Sequence, residues 1–208
     1  NVAITDTNAI ILGASTVSGT YSVTAGGAVT NSGTQEITGI TTISASGHNV
    51  TLDTATNNFA NEVRITGAVV IIVDEDAVNL GASTVSGAYS VTAGGAVTNS
   101  GALVIPNTTT ISAVNGSSVK QDVTLGDSSN NFGTLAITGA DVTARDTNAI
   151  VLGASTVSGT YAVTAGDAVT QTGALAITGA TTISASGYNV TLNTETNNFQ
   201  GAVGITGA

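Results

Sequence analysis

The sequence predicts an all-β protein built as a right-handed parallel β-helix, a β-solenoid of about nine coils in three tandem units. Three observations predict it. One unit recurs three times along the 208 residues. Short runs alternate apolar and polar residues, which puts the apolar side chains of each run on one face of a strand. Glycines fall between those runs, where the chain must turn.

The composition sets the secondary structure first. Thr, Val and Ile are abundant, and their branched Cβ favours a pleated surface over a helix. Only 8% of residues are charged and 3% aromatic, with 26 Gly and a single Pro, Pro106. Strong helix formers are scarce, so strands and turns should account for nearly the whole chain.

The repeat is then read by identity. LGASTVSG occurs at 12–19, 80–87 and 152–159, and Y-x-VTAG starts at Tyr21, Tyr89 and Tyr161. TTIS starts at Thr41, Thr109 and Thr181, NNF ends at Phe59, Phe132 and Phe199, and ITGA closes each unit. The units are 1–68, 69–140 and 141–208, and the first and third agree at 48 of 68 positions. The chain opens at Asn1 inside this pattern, as expected of a piece of a longer protein.

Within the first unit the rhythm shortens to pieces 1–19, 20–39 and 40–68. Val2 and Ile4, Ile10 and Leu12, Val17, Tyr21 and Val23, Val29, Ile37, Ile43, Val50 and Leu52, then Val63 and Ile65 form the candidate core. A coil of about 20 residues cannot bury its apolar face alone, so coils stack into a continuous core. Nine coils at one strand spacing each make a rod of about 43 Å. The third piece is longer, and its surplus at 53–62 reads as a loop or small protrusion, with Phe59 folding back over a core edge. A β-sandwich would show fewer, longer strands and no tandem identity.

Charge and missing residue types exclude several functions. The net charge is −10, and Arg64, Lys120 and Arg145 are the only basic side chains besides His48. Nucleic acid and anionic membrane surfaces need Lys and Arg in numbers, so neither is an expected partner. No run of 18 apolar residues is long enough to span a bilayer as a helix. Cysteine is absent, which removes disulfides and thiolate metal sites.

Strings such as Val23-Thr-Ala-Gly-Gly-Ala-Val-Thr30, Thr41-Thr-Ile-Ser-Ala45, Val50-Thr-Leu52 and Asn57-Asn-Phe59 followed by ITGA resemble the repeats of filamentous-haemagglutinin-type adhesins along the whole chain. The resemblance implies a right-handed parallel β-helix from a giant exported bacterial surface protein. It also implies an outer-membrane secretion partner, an extracellular location at the bacterial surface, and a binding or toxic tip held away from the cell.

The candidate chemistry is thin. His48 is replaced by Tyr188 in the third unit, Arg64 aligns with Gly204 and Arg145 with Thr5, so no catalytic constellation repeats and no enzyme is expected. No cofactor is expected either. Asp6, Asp74 and Asp146 are equivalent, and they read as corner caps accepting backbone N–H groups, stacked in a column three coils apart. Asp74, Glu75 and Asp76 form the densest acidic cluster and the one cation candidate, short of the six to eight oxygens calcium takes. Asn57–Asn58, Asn130–Asn131 and Asn197–Asn198 read as structural, with carbohydrate contact as the alternative. A flat Thr-x-Thr face of the ice-binding kind fails, because Thr5 and Thr7 become Val73 and Glu75 in the next unit.

One feature belongs to a single unit. Val114-Asn-Gly-Ser-Ser-Val-Lys-Gln-Asp122 stands where the first unit has residues 46–49. Insertions in solenoids leave the rod as loops, so Asn115, Ser117, Lys120 and Gln121 are the candidate binding residues. The expected function is a shaft or spacer in a surface fibre. The alternatives are a rod that itself binds host or neighbour-cell glycans through its loops, and a filament that assembles head to tail.

Overall fold

Most strands are two to six residues long because turn residues lie close together, whereas in the second unit Leu103–Ala113 and Asn131–Gly139 run on through a corner as strands of 11 and 9 residues. The computed structural model describes all 208 residues, which form parallel strands and turns with no helix. Three strands and three corners make one turn of about 20 residues. Tyr21 lies over Val2, Thr41 over Tyr21 and Val63 over Thr41, each pair in parallel register. Alternation along each strand does the burying: in Tyr21–Ala25, residues 21, 23 and 25 point inward.

Each unit carries one long face and two short ones. In the first unit the long face is Val2–Asp6, Tyr21–Ala25, Thr41–Ser44 and Glu62–Gly67. One short face is Ile10–Leu12, Val29–Asn31 and Val50–Leu52, and the other is Ser15–Val17, Gln35–Ile37 and Asn58–Phe59. Four long strands and three on each short face make ten. At three strands per turn a unit therefore advances three and one third turns, and the three units together make about 10 turns.

That extra third corrects the expected nine coils. Residues 62–68 are not a lengthened third coil but the first wall of a fourth turn. The long face consequently moves one wall round at every unit boundary. Val70–Asp74, the first long strand of the second unit, lies over the short strand Val50–Leu52. Val142–Asp146 lies likewise over Val123–Leu125. The outgoing long strand Glu62–Gly67 is covered by two short ones, with Val63 against Leu80 and Thr66 against Thr84. The next boundary repeats this, with Leu135 against Leu152 and Thr138 against Thr156.

The core passes through both boundaries without a gap. A single cluster of 45 buried apolar residues runs from Leu12 to Ala185. Phe59 and Phe132 are both 1% exposed, so the expected packing role of the NNF aromatic holds for them. The protrusion expected at 53–62 is absent. Residues 53–57 form a compact corner, and Asn58–Phe59 return to the wall beside Gln35–Ile37.

Close stacking of corners fixes one glycine of the Y-x-VTAG string. A Cβ on Gly94 would sit 1.9 Å from the Glu75 carbonyl oxygen of the turn below. The same position in the other units, Gly26 and Gly166, would meet the Thr7 and Thr147 carbonyls at 2.3 and 2.2 Å.

Candidate functional site

The side chains with the most demanding environments lie at the unit boundaries. Asp74 ends the first long strand of the second unit and is 2% exposed. One carboxylate oxygen accepts the Asp76 N–H at 2.9 Å, closing a local turn. The other accepts the Phe59 N–H of the preceding unit at 2.8 Å. Asp146 repeats this, holding Asn148 N–H at 2.9 Å and Phe132 N–H at 2.6 Å. The Asn57 and Asn130 carbonyls accept the Glu75 and Thr147 N–H groups alongside. Each aspartate is thus a clamp between units.

The predicted caps are correct in their chemistry but not in their placement. Because the long face turns by a third at each boundary, Asp6, Asp74 and Asp146 end strands on three different walls rather than forming one column. Burial pushes the Asp74 carboxyl up to about 6, against the pull of its two N–H donors, and raises Asp146 for the same reason. The cation reading of Asp74, Glu75 and Asp76 is likewise corrected. Asp74 is turned inward onto backbone donors, Glu75 and Asp76 are exposed, and the three do not converge on a point that could hold a metal ion.

A second polar feature runs under the corners. The Asn57 side-chain oxygen accepts the Gln35 N–H at 2.9 Å and the Asn31 side-chain amide at 2.9 Å, while its own amide donates to the Leu52 carbonyl. Asn130 bonds Leu103 N–H, Asn99 and the Leu125 carbonyl in the same way. In the third unit Gln171 takes the place of the partner asparagine beside Asn197. Asn57 and Asn130 are fully buried, so the first asparagine of NNF is occupied inside the wall and does not face a glycan.

A third junction element is made by serines of the repeated LGAST string. Ser83 Oγ accepts the Ile65 N–H at 3.0 Å and donates to the Gly81 carbonyl. Ser155 does the same for Ile137 and Gly153. These serines fill the gap left where two short strands meet over one long strand. The only trace in the sequence is that the serine of LGAST recurs in every unit.

The inserted loop is a small, stapled turn. Val114 and Lys120 form an antiparallel bridge, and Asn115 Oδ1 accepts the Ser117 and Val119 N–H groups at 3.0 and 2.9 Å. Gln121 donates its side-chain amide to the Val119 carbonyl. Ser118 holds a positive φ of 61°, and the shorter corners of the other units have their positive φ at glycines, Gly47 at 77° and Gly187 at 84°. Ser117 and Val119 are exposed, whereas Asn115, Lys120 and Gln121 are half-buried. The structure therefore turns Asn115 and Gln121 to shaping the loop. His48 and Tyr188 occupy the equivalent exposed corners, and their carbonyls accept the Ala68 and Ala208 N–H groups.

Fold and junctions define the class: a tandem-repeat parallel β-solenoid whose units interlock by a one-third turn. The chain belongs to the family described as repeats of unknown function (DUF5649), whose model matches three times, over residues 1–66, 66–138 and 139–206. No curated protein and no solved structure matches it.

Proposed function

We propose that these repeats are a shaft segment of a secreted bacterial surface fibre of the filamentous-haemagglutinin-type adhesins, holding a distal binding or effector domain away from the cell. The observation that supports this is the continuity of the core. One apolar cluster runs from Leu12 to Ala185 across two unit boundaries, each of which is also clamped by a buried aspartate. A boundary of that kind has no hinge, so adding units adds length without adding flexibility. The one-third turn reinforces the reading. It spreads equivalent corners over three walls, which suits stiffness in every direction and works against a one-sided binding array.

A second reading has one observation in its favour. The 114–122 loop projects an exposed Val119, 55% accessible, at a corner the other units keep short. An adhesin reading would place glycan contact there. The test is binding of the purified chain to a glycan array and to host cells, alongside a variant in which 115–121 is shortened to a Ser-Gly turn. The shaft reading expects no saturable binding by either protein. Saturable binding that the shortened variant loses while remaining folded would overturn it.

A further inference from the structure

We propose that the Asn115–Gly116 step of the inserted loop is a self-modification site, where the chain closes to a cyclic imide and then hydrolyses to an aspartyl or isoaspartyl link. Water is the only co-reactant. The proposal rests on the loop alone and stands apart from the shaft reading.

Among the asparagines of the chain, only Asn115 precedes a glycine. Ring closure brings the backbone nitrogen of the next residue onto the side-chain carbonyl carbon, and a Cβ on that residue restricts the backbone and crowds the approach. Gly116 is exposed, and its surroundings leave open space where a Cβ would stand. Its N–H donates to no acceptor, so the nucleophile is free.

The electrophile is held in place. Asn115 Oδ1 accepts the Ser117 N–H at 3.0 Å and the Val119 N–H at 2.9 Å. Negative charge builds on that oxygen as the nitrogen attacks, and two backbone donors already aimed at it stabilise the charge. The Asn115 N–H donates to the Val119 carbonyl at 3.0 Å, and the Asn115 carbonyl accepts the Ser118 N–H at 2.9 Å. The loop therefore fixes the residue while leaving the next nitrogen unbound.

Other asparagines lack one part or another of this arrangement. Asn31 and Asn99 precede serines, but the Ser32 and Ser100 N–H groups are bound to the Leu12 and Leu80 carbonyls. The side-chain amides of Asn31 and Asn99 are tied as well, to the Gly33 and Gly101 carbonyls. Asn8 and Asn148 precede alanines, whose Cβ crowds the attack, and their side-chain oxygens lack the paired donors that Asn115 has.

The step balances without an oxidant or a reductant. A bond forms between Gly116 N and Asn115 Cγ, the Cγ–Nδ2 bond breaks, and Nδ2 leaves as ammonia with the proton from the Gly116 N–H. Water then adds to either ring carbonyl and splits its bond to the ring nitrogen. Opening at one carbonyl gives an aspartyl link that keeps an acceptor for Ser117 and Val119. Opening at the other gives an isoaspartyl link, which adds a methylene to the backbone and removes that acceptor. Both put a new negative charge in the loop that carries Lys120, the one lysine of the chain.

The test is to hold the purified, folded chain at neutral and at mildly alkaline pH at physiological temperature, in water enriched in heavy oxygen. Tryptic peptides are then mapped by mass spectrometry, with Asn115 in the peptide that ends at Lys120. The expected result is amide-to-acid conversion at residue 115 ahead of every other asparagine, faster at the higher pH, with labelled oxygen and both isomeric products. Gly116→Ala should slow it at least about tenfold, a barrier change of roughly 1.4 kcal/mol or more. That variant has room for its methyl group, and Gly116 does not hold a positive φ, so the fold is kept. An intact Asn115 while another asparagine converts, or no conversion at all, overturns the proposal. So does an aspartyl product alone, or Gly116→Ala converting as fast as wild type. Each of those results leaves the shaft reading intact, and glycan binding at the loop would sink that reading without touching this one.

Discussion

Asp74 shows how one side chain joins two units and leaves a pH signature. Its carboxyl is buried and titrates at about 6, above the ordinary carboxylate range near 4. A folded value above the unfolded one means that the folded state holds the proton more tightly. The resulting stabilisation is fully present below about pH 4 and is lost as pH rises through 6. The thermal midpoint should therefore be higher at pH 5 than at pH 7.5, and Asp74→Asn should shrink that difference. Two groups act in the opposite sense at lower pH: Glu62, held ionised by the Arg64 guanidinium, and Asp141, held ionised by the Thr160 N–H. Neither is altered in the variant, so the comparison isolates Asp74. An undiminished difference would mean that this carboxyl does not titrate across the junction as described. The Arg64–Glu62 pair itself, at 2.7 Å with Arg64 44% exposed, is screened by solvent and carries little weight in stability.

Among elements, the Y-x-VTAG strand and its corner show how tightly successive turns are bound. Gly94 follows Tyr89–Ala93 and lies directly on the Glu75 carbonyl. Gly94→Ala forces backbone apart where no flexible side chain can yield, and it should cost about 2–4 kcal/mol, the range of overpacking with loss of a neighbouring hydrogen bond. Denaturant unfolding measures it, with Gly116→Ala as the control, since a Cβ at Gly116 meets nothing within 4 Å. Equal midpoints for the two variants would contradict the close stacking.

The elements also show what was legible in the sequence. Alternation and corner glycines are local signals, so the strands, the inward residues and the buried Phe59 could be read directly. The stacking order could not, because it depends on a count. Val63 and Ile65 were recognisable as core residues, but whether Glu62–Gly67 completes a third coil or opens a fourth turn decides where every later strand sits. The signal was present: Val63, Ile65 and Gly67 alternate as Val2 and Ile4 do, marking a fourth long strand. The same count displaced the aspartates from one column to three walls. The junction serines stayed hidden because their partner is created only by the handover between walls.

For the whole molecule, the central feature is that a repeat of ten strands is threaded onto a three-walled rod. A unit of nine strands would place identical residues in columns and give each wall its own chemistry. Ten strands distribute every unit over all three walls and lock each boundary, because a new long strand always rests on a short one from the unit before. A core that passes each boundary without a gap goes with that arithmetic.

The register at a boundary tests this most directly, and a chain without cysteine gives a clean background. Ile71 lies beside Thr51 across the first boundary, one strand spacing away, within the range a disulfide can bridge. Thr51→Cys with Ile71→Cys should lose both free thiols on mild oxidation and keep its thermal midpoint. Thr42→Cys with Ile71→Cys, the pair that nine coils would place together, should keep both thiols. Cross-linking of the second pair and not the first would contradict the one-third turn.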